Sequence, residues 1–186
     1  EEDKEVPISV SETFHERVMR QVGMVDLEER EAQLAVQLAG SLDDDGYLRR
    51  ELDAIADDLA FSQNIMVEEG ELENALEIVQ GLEPAGIGAR DLRECLVLQL
   101  KRKPENPITR LAMRMLEEQF DAFSKKHYER LQKALGVEED EVKLALDEIL
   151  KLNPKPGGSS SGSKQNQYII PDFQVNNNNG ELELTL

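Results

Sequence analysis

The run Gly81-Leu82-Glu83-Pro84-Ala85-Gly86-Ile87-Gly88-Ala89-Arg90-Asp91-Leu92 lies mid-chain, between two segments whose apolar residues recur at helical spacing. A proline lacks the amide hydrogen a helix needs and clashes with the preceding turn. Glycines open dihedrals that a side chain resists. The chain must turn here. Whether the turn cradles a phosphate, breaks a helix, or presents a docking corner decides what the chain can do.

The phosphate reading fails on pattern. A dinucleotide loop is G-x-G-x-x-G, placed after a strand and opening a helix. In Gly86-Ile87-Gly88-Ala89-Arg90-Asp91 an aspartate stands where the last glycine belongs, and an amphipathic helix precedes it. A carboxylate there repels a pyrophosphate, and no Walker sequence occurs elsewhere. The structural reading explains more. Pro84 stops one helix, Gly86 and Gly88 form the structural corner, and Asp91 puts negative charge in the first turn of the next helix, where the macrodipole favours it. Arg90 offers five donors to a nearby carboxylate or carbonyl.

Helical spacing runs along most of the chain. A first helix starts at Ser11 or Glu12 and carries Phe14, Val18, Val22 and Val25. A second carries Leu27, Leu34, Leu38 and Leu42, with Arg30, Glu31 and Gln37 facing away. Asp43-Asp44-Asp45-Gly46 ends it as a turn. Read as a calcium loop with Gly46 at position six, it has Ser41 and Leu52 at positions one and twelve, where Asp and Glu are required, so calcium does not fit. Further helices are expected over 48–60, 71–82 and 91–101, the last apolar nearly all round and so central. Pro104 and Pro107 mark a boundary, followed by helices over 108–123, 128–135 and 139–152. Asn153-Pro154-Lys155-Pro156-Gly157 stops the last. A Gly/Ser-rich linker follows, and then the period changes to two: YIIPDFQV and ELELTL flank an Asn-Gly turn, as in a hairpin. A β element cut off at that point suggests a piece of a longer protein. The expected fold is mainly α: a first helical subdomain over 11–103, a second over 104–156, and a linker with the start of a β-hairpin over 157–186.

The two halves share a pattern. Leu72, Leu76 and Pro84 correspond to Val142, Leu146 and Pro154, each pair 70 residues apart. Each unit is helix, turn, helix, proline stop. Helix-turn-helix units often read DNA through their second helix. Here that helix is acidic: Glu71-Leu72-Glu73-Asn74-Ala75-Leu76-Glu77 has no Lys or Arg, and the second copy begins Glu138-Glu139-Asp140-Glu141. The repeat reads better as a packing unit whose outer surface meets protein.

Charge points the same way. The net charge is -18 over 186 residues, a field that repels phosphate backbones. The middle is locally basic through Lys101, Arg102, Lys103, Arg110, Arg114, Lys125, Lys126, Arg130 and Lys133, which is the one support for a helix-turn-helix DNA-binding module as the alternative function. The aromatic share of 4% without Trp suits thin helical packing rather than a β-sandwich. Cys95 is the single cysteine, so no internal disulfide forms, as suits a reducing cytoplasm. No signal-peptide pattern or membrane-length apolar run occurs. Enzyme activity is not expected: His15 and His127 lie far apart and outside any zinc pattern, and Cys95 on an apolar helix reads as core. No metal or cofactor is expected.

LEPAGIGARDLRECLVLQL, preceded by SLDDDGYL and followed by LNPKPG and YIIPDFQV, closely resembles the enhancer-dependent bacterial sigma-54 (RpoN) family. Four landmarks occur in the family's order over about 14–186. The resemblance implies a core-binding region: a largely helical docking module for core RNA polymerase, with no membrane partner. It implies that the family's activator-responsive region precedes Glu1, and that its promoter-reading helix-turn-helix and RpoN box follow Leu186. Promoter DNA and the activator ATPase would then be engaged through those regions. The Ser/Gly-rich linker departs from the family pattern. Candidate polymerase contacts at the corner are Glu83, Pro84, Ile87, Arg90, Asp91 and Arg93.

Overall fold

The computed structural model describes residues 12–158 and, as backbone, 174–178 and 181–185. Among the described residues the helices run α1 (Phe14–Met24), α2 (Glu29–Gly40), α3 (Leu52–Gln63), α4 (Glu71–Gln80), α5 (Leu92–Lys101), α6 (Pro107–Glu118), α7 (Phe120–Ser124), α8 (Tyr128–Leu135) and α9 (Glu139–Leu150). The chain is mainly helical. None of these helices is long and apolar enough to cross a membrane. The landmark YIIPDFQV and the expected linker lie for the most part outside the described residues.

Local chemistry sets the helix ends. Thr13 caps α1, with the Glu16 side chain reaching back to the Thr13 amide at 2.7 Å. Asn106 caps α6 ahead of Pro107, a residue whose missing amide hydrogen costs nothing in the first turn. Asn64 ends α3 and Gly136 ends α8, both in the left-handed region.

Two apolar clusters form the interior. The first joins α1, α2, α3 and α4 through residues such as Val18, Leu38, Ile55, Leu59 and Val79, and takes in Leu82 and Ile87 from the corner. The second joins α5 to α9 through Leu96, Leu100, Met115, Leu116, Leu131 and Val142. Each buried aliphatic side chain contributes roughly 1.5–3 kcal/mol. The fifth helix packs in the second cluster, ahead of the Pro104–Pro107 interruption. It is central, as its all-round apolarity implies: Cys95 faces Tyr47 and Ala89 in a small third cluster.

Three local expectations are corrected. The third helix begins at Leu52, not Leu48. Leu48 is buried and gives its amide to Ala89 O at 2.9 Å, so the chain stays out of the helix beside the corner until Glu51. The helix expected over 108–123 divides at Gln119, whose ψ of 35° leaves the helical region, and α7 starts after it with Ala122 buried. Val25 is exposed, because α1 ends one residue before it in an extended cap.

Candidate docking corner

The corner connects α4 to α5. Gly81 ends α4, the Glu83–Pro84 peptide is cis, and Gly86 and Gly88 take φ of 97° and 77°. Both glycines are required on two counts. Positive φ disfavours a side chain. A Cβ on Gly86 would also lie 2.8 Å from Gln99 Nε2 and 3.0 Å from Cys95 Sγ, and one on Gly88 3.1 Å from Gln80 Cγ.

Three of the sequence landmarks meet here. The Asp43–Leu48 turn pairs with the corner through Gly88 N to Gly46 O at 2.9 Å and through the Leu48–Ala89 bond. The Asn153–Gly158 stop closes on the same turn: Gly157 N donates to Asp45 O at 2.9 Å, and Tyr47 Oη donates to Pro154 O at 2.7 Å. Gly157 leaves no room for a side chain, since its Cβ would lie 2.6 Å from Asp44 O. Asp43 holds the turn by accepting from the Asp45 and Tyr47 amides. Burial pushes the Tyr47 phenol and the Cys95 thiol upward, so both stay neutral at ordinary pH and act as packing groups. The core role read for Cys95 therefore agrees with its burial.

Two glutamines clamp the residues that precede the stop prolines. Gln21 on α1 donates to Glu83 O at 2.6 Å and accepts from Glu83 N at 2.7 Å. Gln99 on α5 does the same to Asn153, donating to its O at 2.7 Å and accepting from its N at 2.8 Å. A side-chain amide thus completes both polar groups of a backbone that has left its helix.

The candidate contacts divide by exposure. Ile87 is 0% exposed, inside the first cluster, so it offers no surface to a partner. Gly86 and Gly88 are buried, and Pro84 is half-buried. Glu83, Arg90, Asp91 and Arg93 are exposed, joined by Leu92. Asp91 is the N-cap of α5, accepting from Glu94 N at 2.8 Å, which is a more specific role than first-turn charge. Arg90 folds over the same turn onto the Glu94 carboxylate, with Nε at 3.0 Å. Burial pushes the Glu94 carboxyl upward, but hydrogen bonds from Arg90 and Gln80 outweigh it and hold the group below its ordinary range. Arg93 reaches Glu117 O at the end of α6 at 2.7 Å. The rim is therefore charged, with its cations already engaged.

Sequence reasoning passed over Tyr47, Gln80, Glu94, Gln99 and Asn153. One signal was present: Gln99 interrupts the apolar run LVLQL, and a polar residue in a buried stripe needs a partner. His15 Nε2 donates to Leu42 O at 2.8 Å, while His127 is exposed. Among the described residues no group of three or more His, Cys, Asp or Glu side chains could hold a metal ion.

A family model described as "Sigma-54 factor, core binding domain" matches residues 4–186. Among curated proteins, the chain is 36% identical over 172 residues to an RNA polymerase sigma-54 factor of Pseudomonas aeruginosa, covering 92% of this chain and 34% of that protein. It is 33% identical over 174 residues to one of Bacillus subtilis, covering 94% of this chain and 38% of that protein. The chain thus spans about a third of the length of the relatives it matches.

Proposed function

We infer the function from one premise: the chain belongs to the sigma-54 factor core-binding domain family. It is the core-binding region of an RpoN-type sigma factor. We propose that it docks on core RNA polymerase for enhancer-dependent initiation, as a non-enzymatic cytoplasmic module. Promoter DNA and an activator ATPase are engaged through other regions of the longer factor. The observation that carries this reading is the family match along nearly the whole chain.

The corner supplies a surface suited to that role. Arg90, Asp91 and Arg93 flank the exposed Leu92 at the start of α5, a small apolar anchor among charged residues, and the exposed Glu83 pairs with Arg102 at the other end of that helix. Pro84 is half-buried in the same connection. Ile87 serves from inside, as the packing that holds the rim. The DNA-binding alternative draws no support from the relatives, and the acidic second helices of both units argue against it.

Two organisational readings accompany it. We place the subdomain boundary at the corner rather than at residue 103, because α5 shares its apolar cluster with α6 and α9. The hairpin reading of the carboxy-terminal run is supported by antiparallel backbone pairing of 174–178 with 181–185, Val175 opposite Leu184.

The test is fluorescence anisotropy of the labelled chain against bacterial core RNA polymerase over a salt series, with duplex DNA in parallel. Saturable polymerase binding without DNA binding is expected. DNA binding without polymerase binding would overturn the docking reading.

A further inference from the structure

We propose that Arg102 is a positioning residue that sets the angle between the two helical clusters, and that polymerase docking depends on the angle it sets. The inference rests on the docking reading above.

The helix pairs with the most extensive contacts stay within a cluster: α2 with α4 and α1 with α2 in the first, α6 with α9 and α5 with α6 in the second. Helix packing therefore makes each cluster stiff but does little to fix one against the other. That falls to the ties around the corner, and the polar ones among them can be named.

Arg102 makes the densest of these ties. It caps α5 and follows Leu100, a member of the second cluster. Its guanidinium reaches back to the end of α4, which belongs to the first. One terminal nitrogen donates to Gln80 O at 2.9 Å and Leu82 O at 2.6 Å, and the other to Glu83 Oε1 at 2.7 Å. Carbonyls at the end of a helix lack intrahelical donors and carry the negative end of its dipole, so a cation belongs there. The planar fork fixes direction as well as distance, which a lysine ammonium does not. The Arg102 side chain is 29% exposed, and two of its three acceptors are main-chain atoms.

A second tie lies at the other end of α5. Gln80 donates to Glu94 Oε1 at 2.8 Å. Glu94 and Arg102 are eight residues apart, about 12 Å along a helix. The end of α4 is therefore held to α5 at two separated points, and two points suppress the rotation that one permits. Tyr47 Oη to Pro154 O and Gly157 N to Asp45 O add ties on the far side, through loops rather than helix ends. A surface that docks through both clusters needs them prealigned, because fixing a hinge on binding consumes affinity.

The experiment measures the angle and the affinity separately. Spin labels go on cysteines introduced at Asp57 on α3 and Lys133 on α8, both exposed; Cys95 is buried and stays unlabelled. Pulsed dipolar distances in the 186-residue chain should be narrowly distributed, broadened by Arg102→Ala and broadened less by Arg102→Lys. Circular dichroism checks that helix content is retained, and Arg102→Lys carries the test if the alanine variant does not fold. Polymerase affinity should fall about tenfold for Arg102→Ala. Unchanged distances in both variants would overturn the proposal, as would broadened distances with wild-type affinity. If the wild-type chain itself fails to bind polymerase, the docking reading falls, whereas the distances still decide what Arg102 does to the angle.

Discussion

In the two helix-turn-helix units, α3–α4 and α8–α9, the second helices and their stops run in register 70 residues apart, and the agreement reaches into their chemistry. Leu72, Ala75, Val79 and Leu82 are buried, and so are Val142, Ala145, Ile149 and Leu152. The Glu71 carboxylate accepts from the Glu68 amide at 2.7 Å, and that of Glu141 from the Glu138 amide at 2.9 Å. Glu83 and Asn153, each before a stop proline, are each gripped by one glutamine amide. The units differ at the pair Leu76 and Leu146. Leu76 is buried, while its counterpart Leu146 is half-buried and lines an open apolar cavity of about 260 Å³ with Tyr128, Val142 and Leu150. The corner makes the difference. Gly88 lies over Leu76, Val79 and Gln80, so the chain leaving α4 covers it. The chain leaving α9 goes instead to the Asp43–Leu48 turn. One packing pattern, followed by two different exits, gives one closed unit and one open one.

The largest test of that contrast is Gly88→Val. A β-branched side chain at φ 77°, with its Cβ 3.1 Å from Gln80 Cγ, should destabilise by about 4 kcal/mol. Gly136 has a similar φ of 67° but open space around it, so Gly136→Val should cost about half as much, through backbone strain alone. Urea midpoints compare them, and equal losses would mean that the corner does not crowd α4.

Next come the paired leucines. Leu76→Ala should cost about 3 kcal/mol and Leu146→Ala about 1, since only the first opens a closed core. A reversed order in thermal melts would contradict the closed-and-open distinction. The glutamine clamps should differ likewise. Gln99 is buried and Gln21 is not, so Gln99→Ala should cost about 2 kcal/mol, while water largely replaces Gln21 in Gln21→Ala. Matching losses would show the two clamps to be equivalent.

A fourth test uses pH. Glu71 is gripped by Arg30 from α2, at 2.5 and 2.8 Å, and hydrogen bonds from Arg30 and from the Glu68 amide lower its pKa to about 2 from an ordinary 4.5. A pKa lower in the folded state means that the stabilisation is present above about pH 4.5 and is lost as the pH falls towards 2. The pair is solvent-exposed, so the effect on stability is small and the side-chain carboxyl resonance is the better readout. A midpoint at 4.5 would remove the clamp from the first unit. The smallest stability change is expected for Arg90→Ala, under about 1 kcal/mol for an exposed ion pair. Lost polymerase affinity with intact folding would assign Arg90 to docking, and lost folding would make it a tether.

Much of the helical architecture was legible in the sequence, because apolar spacing reports the face a helix must bury. Ser, Thr, Asn and Gly at the ends report caps only roughly, which is why α1 starts at Thr13's side rather than at Ser11. The division at Gln119 was not legible: Phe120 and Phe123 continue the apolar period while the Gln119 backbone leaves helical dihedrals. Leu48 misled for a related reason, since a buried leucine looks alike in a helix and in an extended segment. The rim of the corner was half legible. Charged residues beside a proline stop belong at the surface, but the flanking Ile87 turns inward.

By itself the sequence determined the turns marked by proline and glycine and the repeat of 70 residues between the second helices, because prolines, glycines and apolar period act locally. Tertiary structure alone decided that three distant turns meet at one junction, and that Gln99, Tyr47 and Arg102 find backbone acceptors there. Hydrogen bonds to a carbonyl 20 to 107 residues away leave no local pattern in the chain. They are fixed only when the apolar clusters have brought the partners together and excluded the water that would otherwise have satisfied them.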